Sequence, residues 1–230
     1  MRRSGQTAAM PTIKELKDAH GWFEENEPRA VFYRAATELV RLALEEKDKA
    51  PLNLTEALAV LLQTWNQAYY RFHYRGFKKA NLEDIEALRD TYETVARYFR
   101  PRCLESLSDG DAARVKRVYS ELERGRLGTV GAAKCLHLLA PCFFPLWDRA
   151  IADGYGFALA KIGGNAENYW LFMRKTQEQC EQLRGQCQAR PGELVPNLLK
   201  ALDEYNYCTY TRGWQSNQRR AGSVAGGTGE

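Results

Sequence analysis

Residues 127–155, LGTVGAAKCLHLLAPCFFPLWDRAIADGY, contain in one stretch the signals for a tight turn, a helix, a second turn and the start of another helix. Gly128 and Gly131 flank the first turn, and glycine adopts backbone conformations that other residues rarely reach. We therefore predict a tight turn at LGTVG whose backbone amides face outward.

The residues after this turn predict a helix that ends at a proline. Residues 132–140 contain no helix breaker, and Leu136, Leu139 and Ala140 recur at the spacing of one helical face. Pro141 ends the helix, and Asp148 begins the next one. The sequence thus predicts two helices joined by a short aromatic and proline-rich turn.

This order of parts resembles the helix-hairpin-helix DNA glycosylase superfamily. The pattern of that family runs roughly Leu-Pro-Gly-Val/Ile-Gly-x-Lys-x-Ala and later ends Pro-Val-Asp. Leu127, Val130 and Gly131 match the hairpin of this pattern, and Ala132 and Ala133 match its small residues. Pro145 and Asp148 match the proline and the aspartate of the later segment.

The chain also departs from the family pattern at four positions. Thr129 stands where the first hairpin glycine belongs, and Ala133 stands where bifunctional members carry a Schiff-base lysine. Lys134 follows one residue later, which rotates a helical side chain by about 100°. Trp147 precedes the acid.

The resemblance implies that Asp148 is a catalytic acid group. Cleavage of an N-glycosidic bond develops positive charge on the sugar, and a nearby carboxylate stabilises that charge. The alternative interpretation is a helix cap, because aspartate at the start of a helix is common for stability alone.

Lys134 is the candidate amine nucleophile of a glycosylase with lyase activity. That role requires a lowered pKa, from burial or from a neighbouring cation. The alternatives are a solvated lysine on the helix flank and a lysine that contacts a phosphate.

Two further groups of candidate residues follow from the same segment. Backbone amides beside a helix N-terminus bind phosphate well, which predicts DNA contacts for Gly128, Thr129, Val130, Gly131 and Arg126. The predicted pocket residues are His137, Trp147 and Tyr155. A hydrogen-bonded histidine at a helix seam is the alternative for His137, and core packing is the alternative for the aromatic residues.

Composition indicates a protein that works inside the cell. The chain has 230 residues, of which 44% are hydrophobic and 27% charged, and its net charge of +4 permits contact with duplex DNA. No stretch predicts a membrane span or a signal peptide, so we expect a cytoplasmic protein, or a nuclear one in a eukaryote. No cofactor or metal is predicted: Cys180 and Cys187 lack the other cysteines of an iron–sulfur pattern, and the histidines have no ligand spacing.

Helical periodicity predicts an all-α fold in the form of a compact multi-helix bundle. Two helical lobes with a helix-hairpin-helix element are equally compatible with this pattern. Residues 1–12 are predicted to be a disordered leader and 211–230 a disordered tail. Between them we predict a single all-α domain, residues 13–210, with the hairpin element at 127–148.

The ends of three of the longer predicted helices are placed from helix breakers and capping residues. These helices span residues 54–74, 82–99 and 147–162, the first capped by Asn53 with Glu56.

Three functions fit these observations. The first is a DNA glycosylase-like repair protein that extrudes a damaged base and cleaves its N-glycosidic bond. The second is a non-catalytic module that binds nucleic acid, and the third is a helical module that binds another protein. The lesion and the oligomeric state are left open by the sequence.

Overall fold

The computed structural model describes residues 10–189 and 197–214, and the regular structure of this part of the chain is entirely helical. The prediction of an all-α multi-helix fold is confirmed. The α-helices are α1 (Ile13–Asn26), α2 (Ala30–Glu45), α3 (Leu54–Trp65), α4 (Gln67–Tyr74), α5 (Lys79–Glu86), α6 (Arg89–Phe99), α7 (Ala112–Leu122), α8 (Gly128–Leu139), α9 (Arg149–Gly154), α10 (Ala166–Ala189) and α11 (Leu198–Asn206).

Helix α8 lies at the centre of the fold. It contacts α2, α3, α6 and α7, and nearly all of its residues from Gly131 to Leu139 are buried. The prediction of a single apolar stripe on this helix is therefore wrong. A helix that carries small and apolar side chains on every face is buried on every face, and the alanines and glycines of α8 allow its neighbours to come close.

The first and last helices pack together on one side of α8. Helix α1 contacts α11 and α10, and the turn Tyr207–Thr211 after α11 packs against α9. Helices α2, α3 and α5 form a second group of neighbours on another side of α8. The candidate site lies where these two groups meet.

The predicted helix 54–74 is two helices that meet at Asn66. The capping box of Asn53 with Glu56 is confirmed at its start. Asn66 leaves the helical conformation, at φ −116° and ψ 19°, and its side-chain amide donates a hydrogen bond 3.2 Å long to the carbonyl oxygen of Leu127. A contact between residues so distant in sequence breaks the helix where no glycine or proline does.

The other two long helices also differ from prediction. The helix predicted at 82–99 begins earlier, at Lys79, and is interrupted around Leu88. The helix predicted at 147–162 ends at Gly154. A side chain at Gly154 would lie 2.4 Å from the ring of Tyr210, so α9 ends in close contact with the turn Tyr207–Thr211.

Both predicted domain boundaries require correction within the described residues. Thr12, assigned to the leader, caps α1 through a capping box with Glu15. Thr211 and Trp214, assigned to the tail, belong to the packed domain: Thr211 bonds to Asp148, and Trp214 is only 8% exposed. The predictions for residues 1–9 and 215–230 fall outside the described residues.

None of the helices in the described ranges combines the length and the apolar character that crossing a membrane requires.

Candidate active site

A cavity of about 220 Å³ lies between α1, α8, α11 and the start of α9. This is the liquid volume of roughly seven water molecules. Its charged lining residues are Glu27, Arg29, Lys134, Asp148, Lys200, Asp203 and Glu204, and its aromatic ones are Phe23, Trp65, Trp147 and Tyr207. A concave site with an apolar wall and a few converging ionisable groups is typical of ligand binding.

Lys134 of α8 reaches this cavity with its side chain half-buried. Its Nζ donates a hydrogen bond to the carbonyl oxygen of Trp65 and lies 5.8 Å from the centroid of the Trp65 ring. Burial lowers the pKa of the Lys134 ammonium to about 8, an effect that the charge of Asp148 opposes and that of Arg29 reinforces. About a tenth of the amine is therefore unprotonated at pH 7.

Asp148 lines the same cavity and caps α9. Its Oδ1 accepts a hydrogen bond 2.9 Å long from the backbone N–H of Ile151, and its Oδ2 accepts one 2.8 Å long from the hydroxyl of Thr211. The two interpretations of this aspartate, a helix cap and a group of the cavity wall, are thus compatible.

The turn between α8 and α9 brings Lys134 and Asp148 to one cavity. The backbone N–H groups of Phe143 and Phe144 both donate to the carbonyl oxygen of Ala140, which folds the chain back directly after α8. Phe143 and Phe144 are fully buried, and both rings contact Phe99, the first in a tilted and the second in an edge-on arrangement, so the turn is fixed in the core. Both predicted catalytic residues consequently line one site.

His137, a predicted pocket residue, lies outside the cavity lining. Its Nε2 accepts a hydrogen bond from the Tyr33 hydroxyl, and its Nδ1 donates to the carbonyl oxygen of Phe144, each 2.8 Å long. Burial lowers the pKa of His137 to about 3, so the ring is neutral at pH 7. The pocket role is not supported, and the alternative of a histidine at a helix seam describes its position.

Of the two predicted aromatic pocket residues, Trp147 lines the cavity and Tyr155 does not. Tyr155 is buried outside the lining, with its hydroxyl 2.6 Å from Gln179 Oε1 and 3.1 Å from Asn206 Oδ1. Trp147 does line the cavity, but its ring is 1% exposed and stacks on Phe172. Trp147 therefore forms part of the cavity wall, and Tyr155 belongs to the core.

The glycines of the predicted hairpin are buried. Gly128 has a φ of +70°, and a Cβ at this position would lie 2.7 Å from the ring of Tyr69. A Cβ at Gly131 would lie 2.8 Å from Nδ2 of Asn66. The expectation that this turn faces outward at its glycines is wrong, because their role is to let α3 and α4 approach α8.

The prediction of a tight turn at LGTVG is wrong, because α8 already begins at Gly128 and the chain leaves helical geometry earlier, at Gly125 and Arg126. The residues next to the two glycines are more accessible than the glycines. Thr129 and Val130 are half-buried, and the Thr129 hydroxyl donates to Oε1 of Glu123 at 2.7 Å. Arg126 is exposed, has a φ of +65° and lies 3.4 Å from Asp84. Of the five predicted DNA contacts, Arg126 is the one with an exposed side chain, which is 60% accessible.

The carboxylate of Glu123 fixes this turn from inside. It is fully buried and accepts hydrogen bonds from the backbone N–H of Gly163 at 2.8 Å and from Nδ2 of Asn165 at 2.6 Å. Three neutral donors thus replace its water of hydration.

The sequence analysis missed most of the charged wall of the cavity. Hydrogen bonds from Arg29, Tyr207 and Arg212 outweigh the effect of burial on Glu27 and hold its pKa well below the ordinary value. On α11, Nζ of Lys200 lies 3.1 Å from Oε1 of Glu204. The sequence did contain one signal for these residues. In LLKALDEYN, Asp203 and Glu204 stand among apolar residues, which places ionisable groups on the buried side of a helix.

One group of side chains near the cavity has the composition of a metal site. The ligand atoms of His20, Glu24 and Glu204 lie within 4.8 Å of one another. Each acid already has a partner, because Glu24 pairs with Arg34 at 2.9 Å, and Glu204 pairs with Lys200 and lies 2.7 Å from His20 Nδ1. These existing pairs account for the cluster without a metal.

A wider groove of about 1100 Å³ lies between the end of α2 and α6. Its arginine Arg100 pairs with Glu45 at 2.7 Å and donates to the carbonyl oxygen of Leu139 at the end of α8. This arginine thus supports the helix terminus, which makes the groove a weaker candidate than the smaller cavity.

An aromatic–basic patch on α4 faces solvent beside the hairpin turn. It consists of Arg71, Phe72 and Arg75. Phe72 is 74% exposed, and the Arg71 guanidinium lies 4.8 Å from the centroid of its ring. Tyr69 of the same helix packs on Gly128, so the patch adjoins the turn that precedes α8.

Comparison of the chain with protein-family models, with curated proteins and with solved structures found no match. The functional argument therefore depends on the residues of the cavity and of the surface around it.

Proposed function

We propose that the protein is a DNA glycosylase with lyase activity, which extrudes a damaged base and cleaves its N-glycosidic bond. The observation that carries the proposal is the position of Lys134, an amine of lowered pKa, in the same cavity as Asp148. A lysine that is partly neutral at physiological pH is a nucleophile, and a carboxylate beside it stabilises positive charge on a sugar.

The proposed reaction uses both groups on the deoxyribose. The neutral Nζ of Lys134 attacks C1′, the bond between C1′ and the base nitrogen breaks, and its electron pair leaves with the base, which takes a proton from water. The carboxylate of Asp148, in the same cavity, would stabilise the positive charge at C1′. The new amine nitrogen loses a proton to water, the C1′–O4′ bond breaks, its electron pair goes to O4′, which takes a proton, and a Schiff base is left.

The aromatic–basic patch of Arg71, Phe72 and Arg75 supports duplex DNA as the partner. Arginine side chains neutralise phosphates, and an exposed aromatic ring stacks on an unpaired base. In sequence, the patch begins six residues after Trp65 of the cavity wall.

The test is covalent trapping on a duplex that carries an abasic site. In the presence of sodium borohydride, the wild-type protein should form a stable adduct with this DNA, and Lys134→Met should form none. The matched control is Lys161→Met, which removes an exposed lysine outside the cavity. Undiminished trapping by Lys134→Met, or no trapping by the wild type, would overturn the proposal.

Asp148→Asn tests the second group without loss of the helix cap, because asparagine caps helices as well as aspartate does. We expect it to reduce release of oxidised, deaminated or alkylated bases from duplex oligonucleotides by at least about a hundredfold. Its thermal unfolding should match that of the wild type.

The second candidate is a non-catalytic module that binds nucleic acid, which the exposed Phe72 and its flanking arginines favour by themselves. Duplex binding that weakens steeply with salt, together with no base release and no trapping, would support this candidate.

A further inference from the structure

A buried carboxyl group of the cavity has an oxygen without a partner. Asp203 of α11 is 3% exposed, and its Oδ1 accepts a hydrogen bond 3.1 Å long from the backbone N–H of Leu146. Its Oδ2 is also buried and has no hydrogen-bond partner in the described part of the chain. Asp203 is a lining residue of the cavity, and a bound group that reached this oxygen would find it without a partner.

The neighbours of Asp203 offer it no cation of its own. His137 Nδ1 lies 3.7 Å from Oδ2, but that N–H already donates to the carbonyl oxygen of Phe144. Lys200 pairs with Glu204, which adds a further negative charge nearby. A buried carboxylate with one neutral donor and no ion pair is unfavourable, so the protonated form is the one that this environment selects.

The titration of Asp203 agrees with that geometry. Burial raises the pKa of Asp203 well above its ordinary value, although the charge of Lys200 opposes the shift. The group is then a neutral carboxylic acid, which is a hydrogen-bond donor as well as an acceptor.

We propose that Asp203 determines which base the cavity accepts: the hydroxyl at its Oδ2 donates a hydrogen bond to a ring nitrogen or carbonyl oxygen of the extruded base. This inference rests on the proposed function. A buried donor discriminates strongly, because a base that presents no acceptor at this point leaves the O–H unpaired. The base itself thus supplies the partner that the protein lacks.

Two substrates separate this role from the proposed function. Release of a damaged base requires recognition of that base, whereas trapping on a preformed abasic site involves the sugar alone. We expect Asp203→Leu to lower base release about tenfold or more and to leave borohydride trapping on the abasic duplex unchanged. Equal loss of both activities, or no loss of base release, would overturn the role of Asp203.

Asp203→Asn is the rescue variant. Its amide keeps an acceptor for the N–H of Leu146 and a donor for the base, so base release should return to within a few-fold of the wild type. Failure of this rescue would contradict the inference even if the leucine variant were merely unfolded. Absence of trapping by the wild-type protein would instead overturn the proposed function, and this inference with it.

The pH profile provides a second measurement. Several ionisable groups surround Asp203. Those of the cavity are Lys134, Lys200, Glu204, Glu27, Arg29, Asp148 and Tyr207, and those packed around it are His137, Tyr33, Tyr155, Tyr169 and Cys180. As the pH rises through the pKa of Asp203, the donor is lost, so the ratio of base release to abasic-site trapping should fall in the wild type. In Asp203→Asn the ratio should stay constant, and a parallel fall would contradict the role.

Discussion

Two ionisable side chains one turn apart on α8 lie in opposite situations. His137 is packed, because the Tyr33 hydroxyl and the Phe144 carbonyl oxygen use both of its ring nitrogens. Lys134 lines the cavity, and the Trp65 carbonyl oxygen accepts from an ammonium that has three N–H groups. Burial lowers both pKa values, to about 3 for His137 and about 8 for Lys134.

The comparison teaches that burial alone does not identify a functional residue. A buried group whose hydrogen bonds are all used holds neighbouring elements together. A buried group with free hydrogen-bonding capacity beside a cavity can act on a ligand. The predictions below test whether His137 and Lys134 differ in this way.

The largest expected effect is on stability, at His137. His137→Leu leaves the Tyr33 hydroxyl and the Phe144 carbonyl oxygen without partners, and should lower the free energy of unfolding by about 4 kcal/mol. Lys134→Met removes a charge that the folded protein holds partly out of water, so it should not lower the free energy of unfolding. Urea unfolding of both variants measures the difference, and equal losses would remove the distinction.

The close packing around α8 can also be tested at its first residue, Gly128, which has no ionisable group. Gly128→Ala introduces a Cβ 2.7 Å from the Tyr69 ring at a positive φ, and should cost about 3 kcal/mol from strain and overlap together. Gly156→Ala is the matched control, because its φ is +81° and nothing lies within 4 Å of its Cβ, so strain alone should cost about 1 kcal/mol. Thermal unfolding should rank the two variants in this order, and the reverse order would show that Tyr69 can move aside.

A third expected effect is a pH dependence of stability with two windows. The unfolded chain binds a proton at His137 below its ordinary pKa of 6.5, whereas the folded chain does so only near pH 3, so stability falls as the pH drops from 6.5 towards 3. By the same sign, Lys134 makes stability fall as the pH drops from 10.5 to 8. Each slope is at most about 1.4 kcal/mol per pH unit.

The variants assign these slopes to their residues. Lys134→Met should remove the contribution between pH 8 and 10.5 and leave the acidic one, whereas His137→Leu should do the opposite. Urea titrations at fixed pH measure both, and an unchanged alkaline slope in Lys134→Met would show that the amine is fully hydrated in the folded protein.

The sequence predicted much of the local structure. The end of α8 before Pro141, the turn that follows and the cap at Asp148 all follow from breakers and capping residues near them in the chain, whereas the start of α8 lies inside LGTVG rather than after it. Lys134 and Asp148 were proposed from the sequence as catalytic, and the turn after α8 brings both to one cavity.

What the sequence did not predict depends on contacts between distant residues. The break at Asn66 results from its bond to Leu127, and the buried glycines result from the approach of Tyr69 and Asn66. Asp203 was missed for the same reason, because its environment is formed by the turn before α9 and by α8. Local periodicity contains no information about such partners.

The pairing of α1 with α11 has a consequence for synthesis of the protein. Glu27 bonds to Arg212, which lies 185 residues further along the chain, and Asp148 bonds to Thr211. A nascent chain on the ribosome therefore has no complete cavity until Thr211 and Arg212 have emerged. Contacts of such large sequence separation also slow folding. The lysine of α8 should thus remain exposed to solvent during translation, and acquire its lowered pKa only when the chain closes upon itself.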